Sequence, residues 1–240
     1  MDVPLTLLLL TYEPGHRRTA EPCLRAALDN IRYSGPLDVH IADDGSAPEH
    51  RARLAEIAGG YAHVRNVGVT DSERGGYGAS YNLATQAIHP KGGVVLPLED
   101  DWRLMRPFDL DGMVETLTAD TLIECIRLGY LGFTQELRGA VISSPAGMLL
   151  LFDPDSEERH VAAGHPRIET VAWERAVGPW CEGLAAGATE FEWCGRPAAR
   201  TGVAWPLFLR PSDGLFVHTG AVELGELVPE RQPEGSTWRL

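Results

Sequence analysis

Along the first hundred residues, short apolar runs alternate with stretches whose apolar positions recur every three or four residues. Leu5–Thr11 reads as a strand, and Pro22–Tyr33 as a helix with Leu24, Ala27, Leu28 and Ile31 on one face. Leu37–Ala42 predicts a second strand. Pro48–Ala58 predicts a helix with Leu54, Ile57 and Ala58 inward, Pro48 suiting its first turn. His63–Val67 follows as a short strand, Gly76–Ile88 as a helix aligning Tyr77, Tyr81, Ala84 and Ile88, and Gly93–Leu98 as a fourth strand. Apolar strands separated by amphipathic helices predict an α/β protein with a mostly parallel sheet covered on both faces. Ligands of such sheets bind beyond the carboxyl ends of the strands. The segments TYE, DDGS and EDD all fall at such ends.

The second half has a looser pattern. Ile123–Thr134 and Ala140–Phe152 predict strands of a mixed or antiparallel region, Asp153–Arg159 a polar turn, and Ile168–Val177 a helix stopped by Gly178 and Pro179. Thr189–Gly195 reads as helix or turn, Gly214–His218 as a short strand, and Pro229–Leu240 as a polar tail. No internal repeat or low-complexity linker intervenes. The expectation is one domain over residues 1–240, with halves at 1–110 and 111–228 and a tail at 229–240.

Composition narrows the partners. With 44% hydrophobic and 23% charged residues, the chain reads as an ordinary globular protein. A formal net charge of −13 argues against passive binding to nucleic-acid phosphate or anionic membrane, unless a local basic groove exists. Lys91 is the only lysine among 21 basic residues, a skew that points to a GC-rich bacterial or viral genome. Cys23, Cys125, Cys181 and Cys194 lack the spacing of a zinc site and read as free thiols of a reducing compartment. The initial MDVPLTLLLL lacks the basic start and cleavage site of a signal peptide, and no apolar run approaches the ~20 residues of a membrane span. The expected location is the cytoplasm, or the host cytoplasm for a viral protein.

Five segments carry candidate chemistry. In VVLPLEDDW, an extended backbone would turn Glu99 and Asp101 to one side and Asp100 to the other. Two converging carboxylates make a hard-oxygen site suited to Mg²⁺ or Mn²⁺ on a diphosphate; a solvated strand end is the plain alternative. In IADDGS, carboxylates at a strand end can accept hydrogen bonds from ribose hydroxyls or a base, although Asp-Gly-Ser is also common turn chemistry. RGGYGASYN, Arg74 to Asn82, opens a helix with backbone amides that can face phosphate, yet matches neither a dinucleotide fingerprint nor a P-loop. In GATEFEWCGR, Glu190 and Glu192 stand among bulky apolar residues, where partial desolvation would suit a general base. His218 in LFVHTG sits on an apolar strand, the setting of a ligand or of a satisfied core histidine.

Together these segments resemble a family-2-type glycosyltransferase of the GT-A fold. LLLLTYEP resembles the first strand and its nucleotide-contacting end, IADDGS the motif that holds base and ribose, and RGGYGASYNLA the Gly-rich loop with its helix Asn. LPLEDDW resembles the acid-x-acid metal motif, TEFEWCGR the region of the base and its following arginine, and LFVHTG the late histidine segment. The resemblance is dense through Leu110 and patchy beyond. It departs at Glu99, where Asp is usual, and at Glu190, where the family has Asp preceded by an acid rather than Thr189.

The resemblance implies a Rossmann-like, mostly parallel sheet plus a mixed acceptor-side region, with residues 1–110 binding a nucleoside-diphosphate sugar, most often a UDP sugar. Thr11, Tyr12, Glu13, Asp43, Asp44, Arg74, Gly78, Asn82 and Asp100 would contact that donor. Asp101, with Glu99 or His218, would hold Mn²⁺ or Mg²⁺, and Glu190 would be the base of an inverting transfer to an acceptor hydroxyl. Arg196 corresponds to the family's arginine. The expected acceptor is a soluble saccharide or metabolite. A hydroxymethylated pyrimidine in DNA is the alternative if Arg127, Arg138, Arg159 and Arg167 gather into a groove. A non-catalytic sugar-nucleotide-binding module is a further alternative. Oligomeric state is left open.

Overall fold

The computed structural model describes residues 1–13, 18–119, 122–129, 138–156, 162, 164–207 and 215–219. In chain order its elements are β1 (Leu5–Thr11), α1 (Ala20–Asn30), β2 (Ile31–Arg32), β3 (Leu37–Asp43), α2 (Pro48–Gly59), β4 (Val64–Asp71), α3 (Tyr77–Ile88) and β5 (Val94–Glu99). There follow β6 (Trp102–Leu104), β7 (Phe108–Asp109), α4 (Asp111–Ala119), β8 (Cys125–Arg127), β9 (Gly139–Ser144) and β10 (Gly147–Phe152). The last are β11 (Arg167–Thr170), α5 (Val171–Val177), α6 (Ala186–Cys194), β12 (Val203–Pro206) and β13 (Phe216–His218).

Every residue of β1 is buried, and its two faces serve two cores. Leu5, Leu7 and Leu9 pack with the apolar residues of α1, α2 and α4. Leu8 and Leu10 pack with those of α3, α5 and α6 on the other face. The period of two along a strand divides one leucine-rich run between both layers of helices. A nine-stranded sheet in the order β4-β3-β1-β5-β11-β8-β12-β10-β9 lies between them. The first four of these strands are parallel, and the remainder is mixed. This is the expected α/β architecture with an antiparallel elaboration.

Register places the site. Thr11 pairs with Asp43 across β1 and β3, and Leu10 pairs with Glu99 across β1 and β5. The three parallel strands therefore end level, and their polar termini form one edge.

Several elements differ from the sequence reading. The first helix spans Ala20–Asn30, and Ile31 leaves it to pair with Phe108. The third strand excludes His63 and extends to Asp71, because β3 supplies a partner along that length. Ala140–Phe152 is a hairpin, β9 and β10, turned at Pro145 and Ala146. Of Ile123–Thr134, only Cys125–Arg127 is a described strand, and 130–137 lie outside the described residues. The stretch read as a helix from Ile168 begins as β11; α5 starts after Thr170, whose Oγ1 accepts from Trp173 N at 3.0 Å. That hydroxyl cap ends one element and starts the next. Thr189–Gly195 falls largely within α6. Gly214 precedes β13 outside the described residues, as do residues 157–159 and the tail at 229–240. No described helix is long and apolar enough to cross a membrane.

Candidate active site

The acid triplet leaves the sheet in a turn at Asp100 and Asp101. In that turn the three carboxylates meet three different neighbours, although Asp101 stays close enough to Glu99 to raise its carboxyl. Asp100 Oδ2 accepts from Thr11 Oγ1 at 2.8 Å and from the Tyr12 amide at 3.3 Å, so it braces the end of β1. Glu99 Oε1 accepts from the Tyr77 hydroxyl at 3.3 Å. Asp101 Oδ2 lies 3.3 Å from His218 Nε2, and Asp101 Oδ1 is buried with no hydrogen-bond partner. Among the described residues, no group of three or more His, Cys, Asp or Glu is placed to hold a metal ion. Asp101 and His218 are brought together; Glu99 is turned toward Tyr77.

At the end of β3, Asp43 is fully buried. Its Oδ2 accepts from the Ser46 amide at 2.8 Å and from Arg51 Nη1 at 2.9 Å, while its Oδ1 is buried without a partner. Arg51 also reaches Asp71 at 2.7 Å, tying β3 to β4. Asp44 Oδ1 accepts from Ser72 Oγ at 2.7 Å and from the Gly76 amide at 2.9 Å, so it holds the Gly-rich loop where α3 begins. Arg74, in a left-handed backbone conformation (φ 72°), lays its guanidinium 4.0 Å over the Tyr12 ring. Glu13 accepts at Oε2 from His50 Nδ1 at 3.0 Å, and His50 Nε2 lies 3.1 Å from Thr11 Oγ1. Thr11, Tyr12, Glu13, Asp43, Asp44, Arg74 and Asp100 are thus connected by contacts across the edge.

Gly78 and Asn82 serve packing in this structure. A Cβ at Gly78 would meet the Cys181 carbonyl oxygen at 2.3 Å, so only glycine lets α3 approach that segment. Asn82 donates to the Trp180 carbonyl at 3.0 Å and to Glu182 at 2.8 Å, and it accepts from the Trp180 amide at 2.8 Å.

Glu190, on α6, is the acid that comes from the second half of the chain. Burial, opposed by the Arg167 cation and reinforced by Asp101, holds its carboxyl up at about 7. Glu99 is raised well above the usual range by burial, with Glu190 and Asp101 adding to it. The three acids are therefore close enough to feel one another's charge. Gly164 (φ +72°) makes room: a Cβ there would lie 3.0 Å from Glu190 Oε2. Glu192 faces elsewhere, its carboxylate held by Arg196 at 2.6 and 3.1 Å, and Arg196 also donates to the Val177 and Pro179 carbonyls.

Behind this cluster lies a pair that the sequence reading missed. Arg167, 1% exposed, donates to Glu169 at 2.6 and 3.2 Å and to the Tyr81 hydroxyl at 2.8 Å. Its guanidinium stands 5.5–5.9 Å from the rings of Tyr81, Trp180 and Trp193. Arg and Glu two apart on a strand share a face, but a charged pair inside a sheet leaves no apolar signal to read. Tyr77, His50 and Arg51 were missed for a related reason: their helices read correctly, but their polar ends act across the fold.

The basic groove weighed for DNA does not form as drawn. Arg127 and Arg167 are interior, Arg138 donates to the Asp155 carbonyl at 2.9 Å, and Arg159 lies outside the described residues.

No family model and no curated protein matches the sequence. Among solved structures, S. aureus TarS aligns with a TM-score of 0.59 at 14% identity, covering 86% of this chain and 35% of that one. S. aureus TarS 1–349 in complex with UDP gives 0.57 at 13%, covering 86% and 58%. GalNAc-T7 with UDP, GalNAc and Mn²⁺ gives 0.54 at 16%, covering 85% and 42%. The chain thus spans about a third to three-fifths of the length of these matches. The fold is that of the GT-A glycosyltransferases.

Proposed function

We propose that the chain is a glycosyltransferase that moves a sugar from a nucleoside-diphosphate sugar, a UDP sugar, to an acceptor hydroxyl with inversion. The observation that carries the reading is Glu190. It is a half-buried carboxyl whose affinity for protons is poised near neutrality, and it feels the charge of Asp101 beyond the carboxyl ends of the parallel strands. A general base works best with a pKa near the operating pH. UDP and UDP-GlcNAc complexes of TarS 1–349, and UDP in GalNAc-T7, favour a UDP-sugar donor on the same fold.

The roles follow from position. Asp44 and the Gly-rich loop would receive base and ribose, with the buried Asp43 holding the turn behind them through the Ser46 amide and Arg51, and Arg74, stacked on Tyr12, would put a cation near the diphosphate. Asp101 and His218 offer one carboxylate and one imidazole to Mn²⁺ or Mg²⁺, with Glu99 as a further carboxylate. The buried, unpartnered Asp101 Oδ1 fits this, since a cation is the natural complement of a carboxylate oxygen left without a donor. A divalent ion bound there supplies neutralisation of the leaving diphosphate. Glu190 would take the proton of the acceptor hydroxyl as that oxygen bonds to the anomeric carbon from the face opposite the departing diphosphate. A saccharide or small metabolite is the acceptor in best accord with the acidic chain. We place residues 1–110 as the donor half and 111–228 as the acceptor half of one domain.

The test is turnover of isotope-labelled UDP sugars in the presence of simple saccharides and Mn²⁺. Labelled transfer or hydrolysis products support an enzyme. Donor binding without any product supports the non-catalytic module instead.

A further inference from the structure

The nine-stranded sheet has two edges, β4 and β9, and they are guarded differently. β4 carries Arg65 and Asp71, which form ion pairs with Asp38 and Arg51. Charged side chains are a usual means of keeping an exposed edge from pairing with another strand. β9 has none. From Gly139 through Phe152 the hairpin of β9 and β10 contains no charged residue, in a chain with 21 basic and 34 acidic side chains. Val141 on β9 and Met148 on β10 are 38% and 47% exposed.

The register shows which backbone groups that edge presents. The Asp153 amide donates to the Arg138 carbonyl at 2.9 Å, and the antiparallel pairing of β9 with β10 continues from there. Hydrogen-bonded pairs alternate along an antiparallel ladder, so Ala140, Ile142 and Ser144 bond to β10. Gly139, Val141 and Ser143 therefore direct amide and carbonyl away from β10, and among the described residues no strand pairs with them.

This edge is complementary to itself. A two-fold axis at Val141 sets that residue against Val141 of a second copy, and Gly139 against Ser143. Each outward residue then exchanges two main-chain hydrogen bonds with its counterpart. An axis at Ile142 would instead set Gly139 against Pro145, which has no N–H. With the axis at Val141, Ala140 meets Ile142 on the other face, and no like charges stand opposite each other. Two chains of net charge −13 repel, and an uncharged edge is where they can approach.

We propose that two copies of this chain associate by antiparallel pairing of β9 with β9 about Val141, joining their sheets into one. The contact is short beside the ~800 Å² per partner of a stable interface, so the dimer is weak and reversible. The proposal does not depend on the reading of the acid cluster, since β1, β3 and β5 lie toward the other end of the sheet.

The test is sedimentation of the full chain from micromolar to millimolar concentration, with amide hydrogen exchange at both ends of that range. The expected result is a dimer that tightens as salt screens the acidic charges. The amides of Gly139, Val141 and Ser143 should gain protection with concentration, while that of Ile142 is protected throughout. Val141→Pro removes an outward N–H and no bond to β10. Val141→Arg sets two like charges face to face across the axis, and it keeps the test open if the proline variant misfolds. Each should weaken association about tenfold or more. The proposal would be overturned by a chain that stays monomeric to ~1 mM, or by a dimer whose newly protected amides lie elsewhere. Wild-type association in either folded variant would also overturn it. So would protection of Val141 and Ser143 that is independent of concentration, the mark of this edge being covered by the same chain.

Discussion

His218 Nε2 lies 3.3 Å from Asp101 Oδ2, and the neighbouring Thr219 donates from its amide and its hydroxyl to the Asp101 carbonyl at 2.6 and 2.9 Å. A segment near the end of the described chain is thereby fastened onto the turn that follows β5.

That relationship sets the first prediction. Asp101→Asn should abolish the rise in melting temperature that Mn²⁺ gives the wild type, together with Mn²⁺-dependent donor turnover, while the apo protein stays folded. His218→Ala should reduce both effects less, because a carboxylate contributes charge as well as a ligand atom. Wild-type turnover that survives chelation would remove the ion from the mechanism.

Glu190→Gln keeps the size and hydrogen-bonding reach of the side chain and removes its affinity for a proton. It should retain UDP and Mn²⁺ binding and lose transfer by about 10²–10⁴-fold, the usual contribution of a general base. Glu192→Gln should cost less than tenfold in rate, since Glu192 is occupied by Arg196. Steady-state kinetics with a labelled donor separates the two variants. Near-normal transfer by Glu190→Gln would take that residue out of the reaction.

The pH dependence of stability follows from the same carboxyl. Burial raises Glu190 from an ordinary 4.5 to about 7, so between those values the native state holds a proton that the unfolded chain has released. Stability from this group is therefore fully present below pH ~4.5 and is lost as pH rises through ~7. Glu99, raised in the same direction, adds to the slope. Without divalent ions, the wild type should lose on the order of 1–3 kcal/mol between about pH 5 and pH 8. Glu190→Gln should flatten that loss and exceed the wild type in stability at the higher pH. Urea titrations at the two pH values measure it, and an unchanged slope in the variant would assign the titration to other groups.

Asp44→Ala removes the acceptor shared by Ser72 and the Gly76 amide. The Gly-rich loop should loosen, costing about 1–3 kcal/mol at a part-buried hydrogen-bonded carboxylate, and affinity for free UDP should fall at least tenfold. Calorimetry with UDP gives the second number. Equal affinity in variant and wild type would reduce DDGS to turn chemistry.

Glu169→Ala leaves the Arg167 guanidinium buried with only Tyr81 and carbonyl partners. Losing one member of a buried ion pair costs roughly 3–5 kcal/mol, so a large drop in melting temperature is expected. Replacing Arg167 and Glu169 together by Met and Leu should recover much of it, because no uncompensated charge then remains. A double variant no more stable than the single one would show that the pair does more than neutralise itself.

The sequence by itself determined the elements whose signal is local. The leucine run of β1, the three-to-four spacing of α1, α2 and α3, and the apolar β5 each report burial through their own period, and together they define a parallel α/β sheet. The same order placed TYE, DDGS and EDD at strand ends, and there they stand. What only the tertiary structure decided depends on partners distant in the chain. Register brought Thr11 level with Asp43 and turned three adjacent acids toward three different neighbours, Tyr77, Thr11 and His218. β11 could not be read as a strand, because Arg167 and Glu169 are buried there by satisfying each other and Tyr81 rather than by being apolar. The resemblance points to Glu190 rather than Glu192 as the base, but the residues around the two acids give no physical reason for the choice. Burial beside Gly164 and pairing of Glu192 with Arg196 distinguished them, and both effects arise only when α6 packs against the rest of the fold.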